Sequence, residues 1–309
     1  MSLPSLQGMM VPKSGGGAVA MQILISSPYY PDLCRSTDGG LTFSKVIMPI
    51  TPSAWGNPAM SDNGKYQLIA AGNSGAYYST DYGATWTQVP GSLWSGCWNS
   101  FVSKSGQQME IYSMANFYGV YSSNFGGSWS SDADATYTDF FWCNDARTQL
   151  IYRHSSSPYS LWYCPGWIAA SEPNNIATVY CPVVGIDSNG QAIVYSHVNS
   201  AYVYTYYLTN KYATHFNILS GNFGSDWSYW NNTIYSIGGD GLYKNYSKIY
   251  STTYQAVNFC VTSDEKILFA TTANGVCYRS TDSGVTWATV PMTLLSSAYT
   301  RTAFQKIIV

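Results

Sequence analysis

One motif, S-x-D-x-G-x-T-W, recurs along this 309-residue chain and constrains its fold more than any other feature. It opens at Ser36, Ser79, Ser122 and Ser280, with Phe43 for Trp in the first unit and Asn124 for Asp and Ser128 for Thr in the third. The first three openings are 43 residues apart, and the interval between the third and the fourth leaves room for three further units without the motif. A period of about 40 to 50 residues is typical of propellers and solenoids. The motif is therefore part of a repeated module and not a single active site.

A second signature locates the missing units. Short runs of β-branched and aromatic residues precede each motif and recur between residues 122 and 280; they are aligned on Ile25, Ile69, Ile111, Ile151, Val194, Ile234 and Leu268. Turn sequences rich in Asn, Asp and Gly, such as SDNGK and DSNGQ, precede these runs. Such residues accept the backbone geometry of tight hairpins. Each unit is thus predicted to be strand, turn, strand, loop, strand, motif, strand.

Seven such units predict an all-β fold, a seven-bladed β-propeller of four-stranded antiparallel blades that occupies residues 1–309 as one domain. The alternative, an open β-solenoid, would need a shorter period. Two segments compete to complete the first blade. The C-terminal AYTRTAFQKIIV carries Tyr299 in phase with Trp55 and Trp98, and the N-terminal LQGMMVPKSGGG fits the same position.

The motif has the chemistry of a hairpin turn. Its Asp can accept hydrogen bonds from the turn's own N–H groups, its Gly adopts a backbone conformation closed to other residues, and its Trp fills apolar space beneath. It resembles the Asp-box, or BNR, repeat of the sialidase and sortilin-like propellers. That resemblance implies a structural role on the face away from the ligand site for the following residues: Ser36, Asp38, Gly40 and Phe43; Ser79, Asp81, Gly83 and Trp86; Ser122, Asn124, Gly126 and Trp129; Ser280, Asp282, Gly284 and Trp287.

The sequence lacks the residues that enzymes of this class use. A sialidase needs an arginine triad, and the five arginines here do not form the family's signature before the first blade. Other glycosidases need two facing carboxylates, but no spacing pairs the acids left after the turns are assigned, which include Asp139, Glu172, Asp226 and Asp240. We therefore predict no catalytic residues, no metal and no cofactor, with a glycoside hydrolase as an alternative by family analogy.

The candidate ligand residues are those expected on the face opposite the motifs. They are the aromatics Trp55, Trp94, Trp98, Tyr118, Tyr159 and Trp230, together with His154 and His197. Aromatic side chains offer contact area to sugars or proteins at low entropy cost. His215 is expected on the same face. The alternatives are that the aromatics fill the central channel and that the histidines are polar loop residues.

Composition excludes several classes of partner. Charged residues make up 10% of the chain, and the net charge is −2 without a Lys/Arg cluster, so nucleic acid is not an expected partner. No apolar run is long enough for a membrane span, and no signal peptide is visible. The seven cysteines include no C-x-x-C pair, so buried free thiols and no required disulfide are expected.

These observations predict a non-enzymatic binding and display module. The low charge and the abundance of Tyr, Ser, Asn, Gly and Trp are similar to those of viral and phage surface or tail proteins that carry Asp-box propellers. The expected role is that of a virion component or receptor-binding protein, located on the virion surface or outside the cell, whose partner is a virion protein, a host receptor or a glycan. The alternatives are a lectin or glycoside hydrolase, and an intracellular assembly scaffold.

Overall fold

A computed structural model describes residues 22–26, 32–91, 96–113, 118–132, 137–146, 148–154, 161–164, 174–177, 183–186, 193–198, 204–209, 215–219, 227–230, 233–238, 241–245, 247–252, 256–261, 265–272, 276–290 and 306–308. Every regular element in these ranges is a β-strand. The strands form seven antiparallel sheets of four strands each within the described residues. The prediction of an all-β chain is therefore confirmed.

The sheets are numbered along the chain, and the strands of each are given in spatial order. Sheet 1 contains β28 (Lys306–Ile308), β1 (Ile23–Ser26), β2 (Leu33–Ser36) and β3 (Ser44–Lys45). Sheet 2 contains β4 (Pro58–Met60), β5 (Gln67–Ala70), β6 (Ala76–Ser79) and β7 (Thr87–Gln88). Sheet 3 contains β8 (Cys97–Val102), β9 (Met109–Ser113), β10 (Tyr118–Ser122) and β11 (Ser130–Asp132). Sheet 4 contains β12 (Tyr137–Cys143), β13 (Leu150–His154), β14 (Leu161–Cys164) and β15 (Asn174–Ala177).

The remaining three sheets follow the same order. Sheet 5 contains β16 (Val183–Ile186), β17 (Ile193–Val198), β18 (Tyr204–Thr209) and β19 (His215–Leu219). Sheet 6 contains β20 (Trp227–Trp230), β21 (Thr233–Gly238), β22 (Gly241–Lys244) and β23 (Ser247–Ser251). Sheet 7 contains β24 (Ala256–Val261), β25 (Leu268–Thr272), β26 (Cys277–Ser280) and β27 (Ala288–Val290).

Where side-chain burial is described, it decreases from the first strands of a sheet to the last. In sheet 2, strands β4 and β5 are completely buried, whereas both residues of β7 are exposed. This gradient follows the sequence, because the second strands are runs such as QLIA and the fourth strands are polar pairs such as Thr87–Gln88. A large apolar cluster joins sheets 1 to 3 and includes Leu24, Leu68 and Ile111. The residues on which the repeats were aligned all lie in second strands.

The C-terminal strand completes sheet 1. Strand β28 pairs antiparallel with β1, with Ile307 opposite Ile25. It also lies against β24 of sheet 7 and β4 of sheet 2. Of the two segments that were candidates for this position, the C-terminal one occupies it in the structure. Residues 1–21 lie outside the described residues.

Strand order defines two ends for every sheet. The turns between first and second strands and between third and fourth strands lie at one end, because neighbouring strands are antiparallel. The four motif turns, Ser36–Phe43, Ser79–Trp86, Ser122–Trp129 and Ser280–Trp287, all connect third and fourth strands. We call these the box turns and call their end of each sheet the box-turn end. The connections between second and third strands and between sheets lie at the opposite end.

Candidate functional site

Each box turn is closed by a network of side-chain hydrogen bonds. In the second turn, Ser79 Oγ donates to Asp81 Oδ1 at 2.8 Å and accepts the N–H of Gly83 at 2.8 Å. The Asp81 carboxylate also accepts the Thr85 N–H at 2.9 Å and the Thr85 hydroxyl at 2.6 Å. Gly83 has a φ of 74°, in the left-handed region that favours glycine. Trp86 is buried beneath the turn, and its Nε1 donates to the Gly83 carbonyl at 3.2 Å.

The serine and threonine contacts recur in the other box turns, with a reversed hydrogen bond in the third. The indole contact recurs at Trp287, whose Nε1 donates to the Gly284 carbonyl at 3.0 Å. The first turn has Phe43 in place of Trp, and Trp129 Nε1 has no hydrogen-bond partner among the described residues. In the first and last turns, the threonine hydroxyls of Thr42 and Thr286 donate to the carboxylates of Asp38 and Asp282 at 2.5 Å. In the third turn, Asn124 replaces the acid. Its Nδ2 donates to Ser128 Oγ at 2.9 Å, so that the hydrogen bond runs in the opposite direction. The backbone bond from the Ser128 N–H to Asn124 Oδ1 is kept, at 2.8 Å.

These hydrogen bonds keep the box acids ionised. The hydroxyl and N–H of Thr286, together with Ser280, lower the pKa of Asp282 to about 2. Partial burial opposes the effect at Asp38, but hydrogen bonds from Thr42, Ser36 and Leu41 still lower its pKa to about 2. A general acid needs a pKa near the working pH. The geometry therefore gives these carboxylates the role of hydrogen-bond acceptors within turns.

Side chains that precede the box serines connect neighbouring sheets. Arg35 Nη1 of sheet 1 donates to the Tyr82 carbonyl in the box turn of sheet 2 at 2.6 Å. Arg279 Nε of sheet 7 donates to the Gly39 carbonyl in the box turn of sheet 1, also at 2.6 Å. The sequence analysis assigned no role to these two arginines. Their equal position, one residue before the serine, was the signal that could have revealed the contact.

The turns between first and second strands form a second set of contacts at the box-turn end. The N–H of Asp62 in sheet 2 donates to the Lys104 carbonyl in sheet 3 at 2.8 Å, and the N–H of Ser105 donates to Asp145 Oδ1 in sheet 4 at 3.3 Å. Burial raises the pKa of Asp62 to about 7; the Lys104 ammonium opposes this increase and the Asp145 carboxylate adds to it. Asp62 is thus an acid whose charged form the fold disfavours.

A buried tyrosine and a glutamate connect sheets 6 and 7. Tyr235 is fully buried and its hydroxyl donates to Glu265 Oε2 at 2.7 Å, while Lys244 Nζ lies 3.2 Å from the same oxygen. Burial and the adjacent Glu265 raise the pKa of Tyr235. The phenol therefore stays protonated and acts as a donor. Sequence reasoning missed this cluster because Tyr235 and Glu265 are 30 residues apart and belong to different repeats.

A groove of about 470 Å³ lies between sheets 2 and 3 at the box-turn end. Its lining includes Lys65, Tyr66, Tyr78, Thr80, Thr87 and Phe125. The Phe125 and Tyr66 rings are 5.0 Å apart between centroids, and Lys65 Nζ lies 5.2 Å from the Tyr66 centroid. Sequence reasoning placed the ligand surface at the opposite end and did not single out these residues. The sequence feature that could have indicated this groove was Phe125, an aromatic residue inside a turn motif.

Four of the predicted ligand residues lie in strands at the opposite end, where they were expected. Their positions are Trp98 near the start of β8, Tyr118 at the start of β10, His154 at the end of β13 and His197 near the end of β17. The side chains of these four, and the whole of Trp94 and Tyr159, lie outside the described residues.

The placement of three other residues differs from the prediction. Trp55 has no exposed surface and packs in the apolar cluster of sheets 1 to 3, so it is removed from the ligand surface and the packing interpretation applies to it. Trp230 ends the first strand of sheet 6 and pairs with Thr233 across a tight hairpin, which puts it at the box-turn end. His215 begins a fourth strand, opposite Thr209, and lies at that end too. Sheets 5 and 6 lack the motif, so the sequence did not mark which end of these two sheets is the box-turn end.

The cysteines agree with a structural assignment where they are described. Cys34 and Cys277 are buried free thiols, as predicted for these positions, and Cys97 and Cys143 are buried as well. Burial raises the pKa of the Cys34 and Cys97 thiols to about 12. Of the acids that the sequence left unassigned, Asp139 lies in β12 without a described side chain, and Glu172, Asp226 and Asp240 lie outside the described residues.

Comparisons with known proteins support the fold. Neither protein-family models nor curated protein sequences gave a match. Among solved structures, an ancestral GH74 enzyme is 14% identical, with a TM-score of 0.60 over 93% of this chain and 46% of the enzyme chain. YCF48 from Cyanidioschyzon merolae is 15% identical, with a TM-score of 0.52 over 80% of this chain and 87% of its own. The C-terminal WD40 domain of Sif2 is 10% identical, with a TM-score of 0.56 over 90% of this chain and 82% of that domain.

These likenesses define the class of the protein at the level of fold. The chain is all-β and has a β-propeller-type fold, and it spans about half the length of the GH74 enzyme chain. Sequence identities this low support a shared architecture with these proteins but not a shared activity. Within the described ranges, no helix has the length and apolar character needed to cross a membrane.

Proposed function

We propose that this chain is a non-enzymatic binding and display module whose seven sheets are the blades of one closed Asp-box propeller. The observation that carries the proposal is the use of the box carboxylates. Asp38, Asp81 and Asp282 each accept the hydrogen bonds that close their own turn, and a low pKa keeps Asp38 and Asp282 charged. The motif that dominates the sequence is thereby assigned to rigidity and not to catalysis.

Two contacts support a closed ring in a single domain. Strand β28 from the C-terminus pairs with β1 and lies between β24 of sheet 7 and β4 of sheet 2. The hydrogen bond from Arg279 to Gly39 joins residues 240 positions apart and connects sheet 7 to sheet 1. Both contacts bring the last sheet against the first. Closure leaves only short, protected strand edges.

The ligand surface is proposed at the opposite end, on sheets 3 to 5. Trp98 and Tyr118 belong to sheet 3, His154 to sheet 4 and His197 to sheet 5, all at that end. In the sequence, Trp94 precedes Trp98 by four residues and Tyr159 follows His154 by five. With Trp55 buried and Trp230 at the box-turn end, the candidates concentrate on three successive sheets. A rigid disc with an aromatic surface suits recognition of a protein or a glycan.

The biological role proposed for this module is that of a virion or tail protein that contacts another virion protein, a host receptor or a glycan on the virion surface or outside the cell. Its support is compositional: 16% aromatic residues, 10% charged residues and a net charge of −2. Mass spectrometry of purified particles from the source would test this role. If the protein is absent from particles and from the surface of infected cells, the virion role is rejected.

A glycan array combined with a hydrolysis screen tests the binding function. Binding without cleavage is expected, and release of reducing ends from any bound glycan would identify an enzyme instead. Replacing Trp94 and Trp98 together by Ala should weaken binding by about 2 kcal/mol or more while the chain still folds, as for central aromatic anchors. A folded double variant that binds as tightly as the parent would reject this surface. A double variant that unfolds far below the parent would assign the two residues to packing.

A further inference from the structure

The gap between sheets 2 and 3 is bridged differently from the two gaps before it. From sheet 7 to sheet 1 and from sheet 1 to sheet 2, an arginine donates to a box-turn carbonyl at 2.6 Å. From sheet 2 to sheet 3, Tyr78 occupies the arginine's position in the motif. A Cβ added to Gly126 would lie 2.7 Å from Tyr78 Cε2, so the tyrosine ring packs directly on the turn backbone. No guanidinium fills this gap among the described residues, and the groove of about 470 Å³ lies there.

The groove walls offer neutral hydrogen-bonding groups. Thr80 and Thr87 are exposed, and Tyr66 and Tyr78 are half-buried in the lining. Hydroxyl groups both donate and accept hydrogen bonds. On the sheet 3 side, Asn124 stands where the other box turns carry a carboxylate. At Asn124 the wall of the groove is therefore uncharged, whereas an Asp at this position would repel anions and attract cations.

Phe125 is held at the rim of the groove at a conformational cost. Its φ is 62°, and 39% of its surface is exposed. The left-handed region is strained for a bulky residue without compensation from burial. Contact with the Tyr66 ring fixes its position. The same backbone conformation recurs at Tyr82 and Ser283, so it belongs to the box turn, and what distinguishes Phe125 is its position in the lining of the groove.

We propose that this groove binds a neutral saccharide, with one face of a pyranose ring against Phe125 and its hydroxyl groups bonded to Thr80, Thr87 and the tyrosine hydroxyls. A pyranose combines an apolar C–H face with a rim of hydroxyls, which matches an aromatic ring beside neutral hydroxyl groups. A cavity of this volume is within the usual range for small ligands, about 300 to 1,000 Å³.

Two other ligand classes fit the groove less well. Phosphate or sulfate recognition uses clusters of arginine, whereas Lys65 is the one cationic side chain among the described lining residues. A peptide that adds a strand to a sheet pairs with the backbone groups of the edge strand. Here it is the side chains of Thr85 and Thr87, which lie on the same side of the chain, that line the groove. This site is separate from the surface proposed on sheets 3 to 5, and either one can fail without the other.

The chain contains a matched control for Phe125. Tyr82 has the equivalent position before the box glycine of sheet 2, with the same φ of 62° and 38% exposure, but it does not line the groove. Phe125→Ala and Tyr82→Ala therefore remove an exposed aromatic ring from the same backbone geometry. Phe125→Gly removes the ring and also the strain, so it serves as a second variant if Phe125→Ala folds poorly. Phe125→Tyr keeps an aromatic face.

The experiment compares these variants on an array of neutral and acidic glycans, followed by titration of the best neutral oligosaccharide. We expect the parent, Tyr82→Ala and Phe125→Tyr to bind within about twofold of one another, and Phe125→Ala and Phe125→Gly to lose about tenfold or more. Thr87→Val, which keeps the side-chain shape, should also weaken binding. Three results would overturn the proposal: no neutral glycan bound by the parent, binding of acidic glycans alone, or equal losses for Tyr82→Ala and Phe125→Ala.

Discussion

Replacing Asp62 by Asn is expected to stabilise the protein at pH 8 and to have little effect at pH 4. Asp62 lies in the turn between β4 and β5, and both of its carboxylate oxygens are buried without a hydrogen-bond donor in the described part of the chain. Burial raises its pKa from 3.8 to about 7; Lys104 partly offsets this effect, and the Asp145 carboxylate reinforces it. The folded protein thus holds a proton that the unfolded chain releases.

The sign and the size of the effect follow from this difference. Well below pH 4 the carboxyl group is protonated in both states and contributes nothing to the pH dependence. Between about pH 4 and pH 7, unfolding releases a proton, so the free energy of unfolding falls as the pH rises. A pKa difference of one corresponds to about 1.4 kcal/mol, which gives at most about 4 kcal/mol above pH 7. Because Asp62 is only partly buried, we expect about 2 to 4 kcal/mol, and Asn removes this penalty.

Urea unfolding at pH 4, 6 and 8, followed by tryptophan fluorescence, measures the effect. Subtracting the parent from Asp62→Asn at each pH cancels the titration of other groups. The difference should be near zero at pH 4 and should grow to its full value by pH 8. A difference that is the same at pH 4 and pH 8 would show that the Asp62 carboxylate is solvated and would refute the reasoning.

Three further predictions concern the box turns. Trp86→Ala should cost about 3 to 5 kcal/mol because it empties a buried indole site, and a loss below about 1 kcal/mol in urea unfolding would mean that the ring does not support the turn. Arg279→Met should cost about 1.5 to 3 kcal/mol by removing the charged hydrogen bond to Gly39, with Arg35→Met as the equivalent change at the next gap; two neutral variants would contradict the inter-sheet role. Asp282→Asn should destabilise the protein at pH 7 and lose this effect as the pH falls from about 4 to 2, since the pKa of Asp282 is lowered to about 2; a pH-independent loss would assign the effect to geometry instead of charge.

Some features were predictable because they depend on local sequence. The turn network of Ser79, Asp81 and Thr85 lies within seven residues, so the spacing of the motif already contains its geometry. The second strands were located correctly even in sheets 4 to 6, because runs such as LIYRH and IVYSH keep their β-type character without the motif. These assignments used only the alternation of strands and turns.

Other features depended on which sheets become neighbours. Trp55 looks the same in sequence whether it lines a surface or fills the core, and the packing of sheets 1 to 3 decides that it is buried. The positions of Trp230 and His215 required the strand order of two sheets that lack the motif. No local pattern specifies these outcomes, because the burial of a side chain depends on residues far away in the chain.

The sequence by itself determined the β-strand repeats and the hairpin chemistry of the box turns, because both depend on residue types at short, fixed spacings. Only the tertiary structure decided that the C-terminal strand completes sheet 1, that Arg35 and Arg279 bridge successive sheets, and that Tyr78 leaves a groove beside Phe125. These contacts join residues up to 284 positions apart, as in the pairing of Leu24 with Ile308. Their geometry depends on how whole sheets pack against one another, so it cannot be inferred from the spacing of residues along the chain.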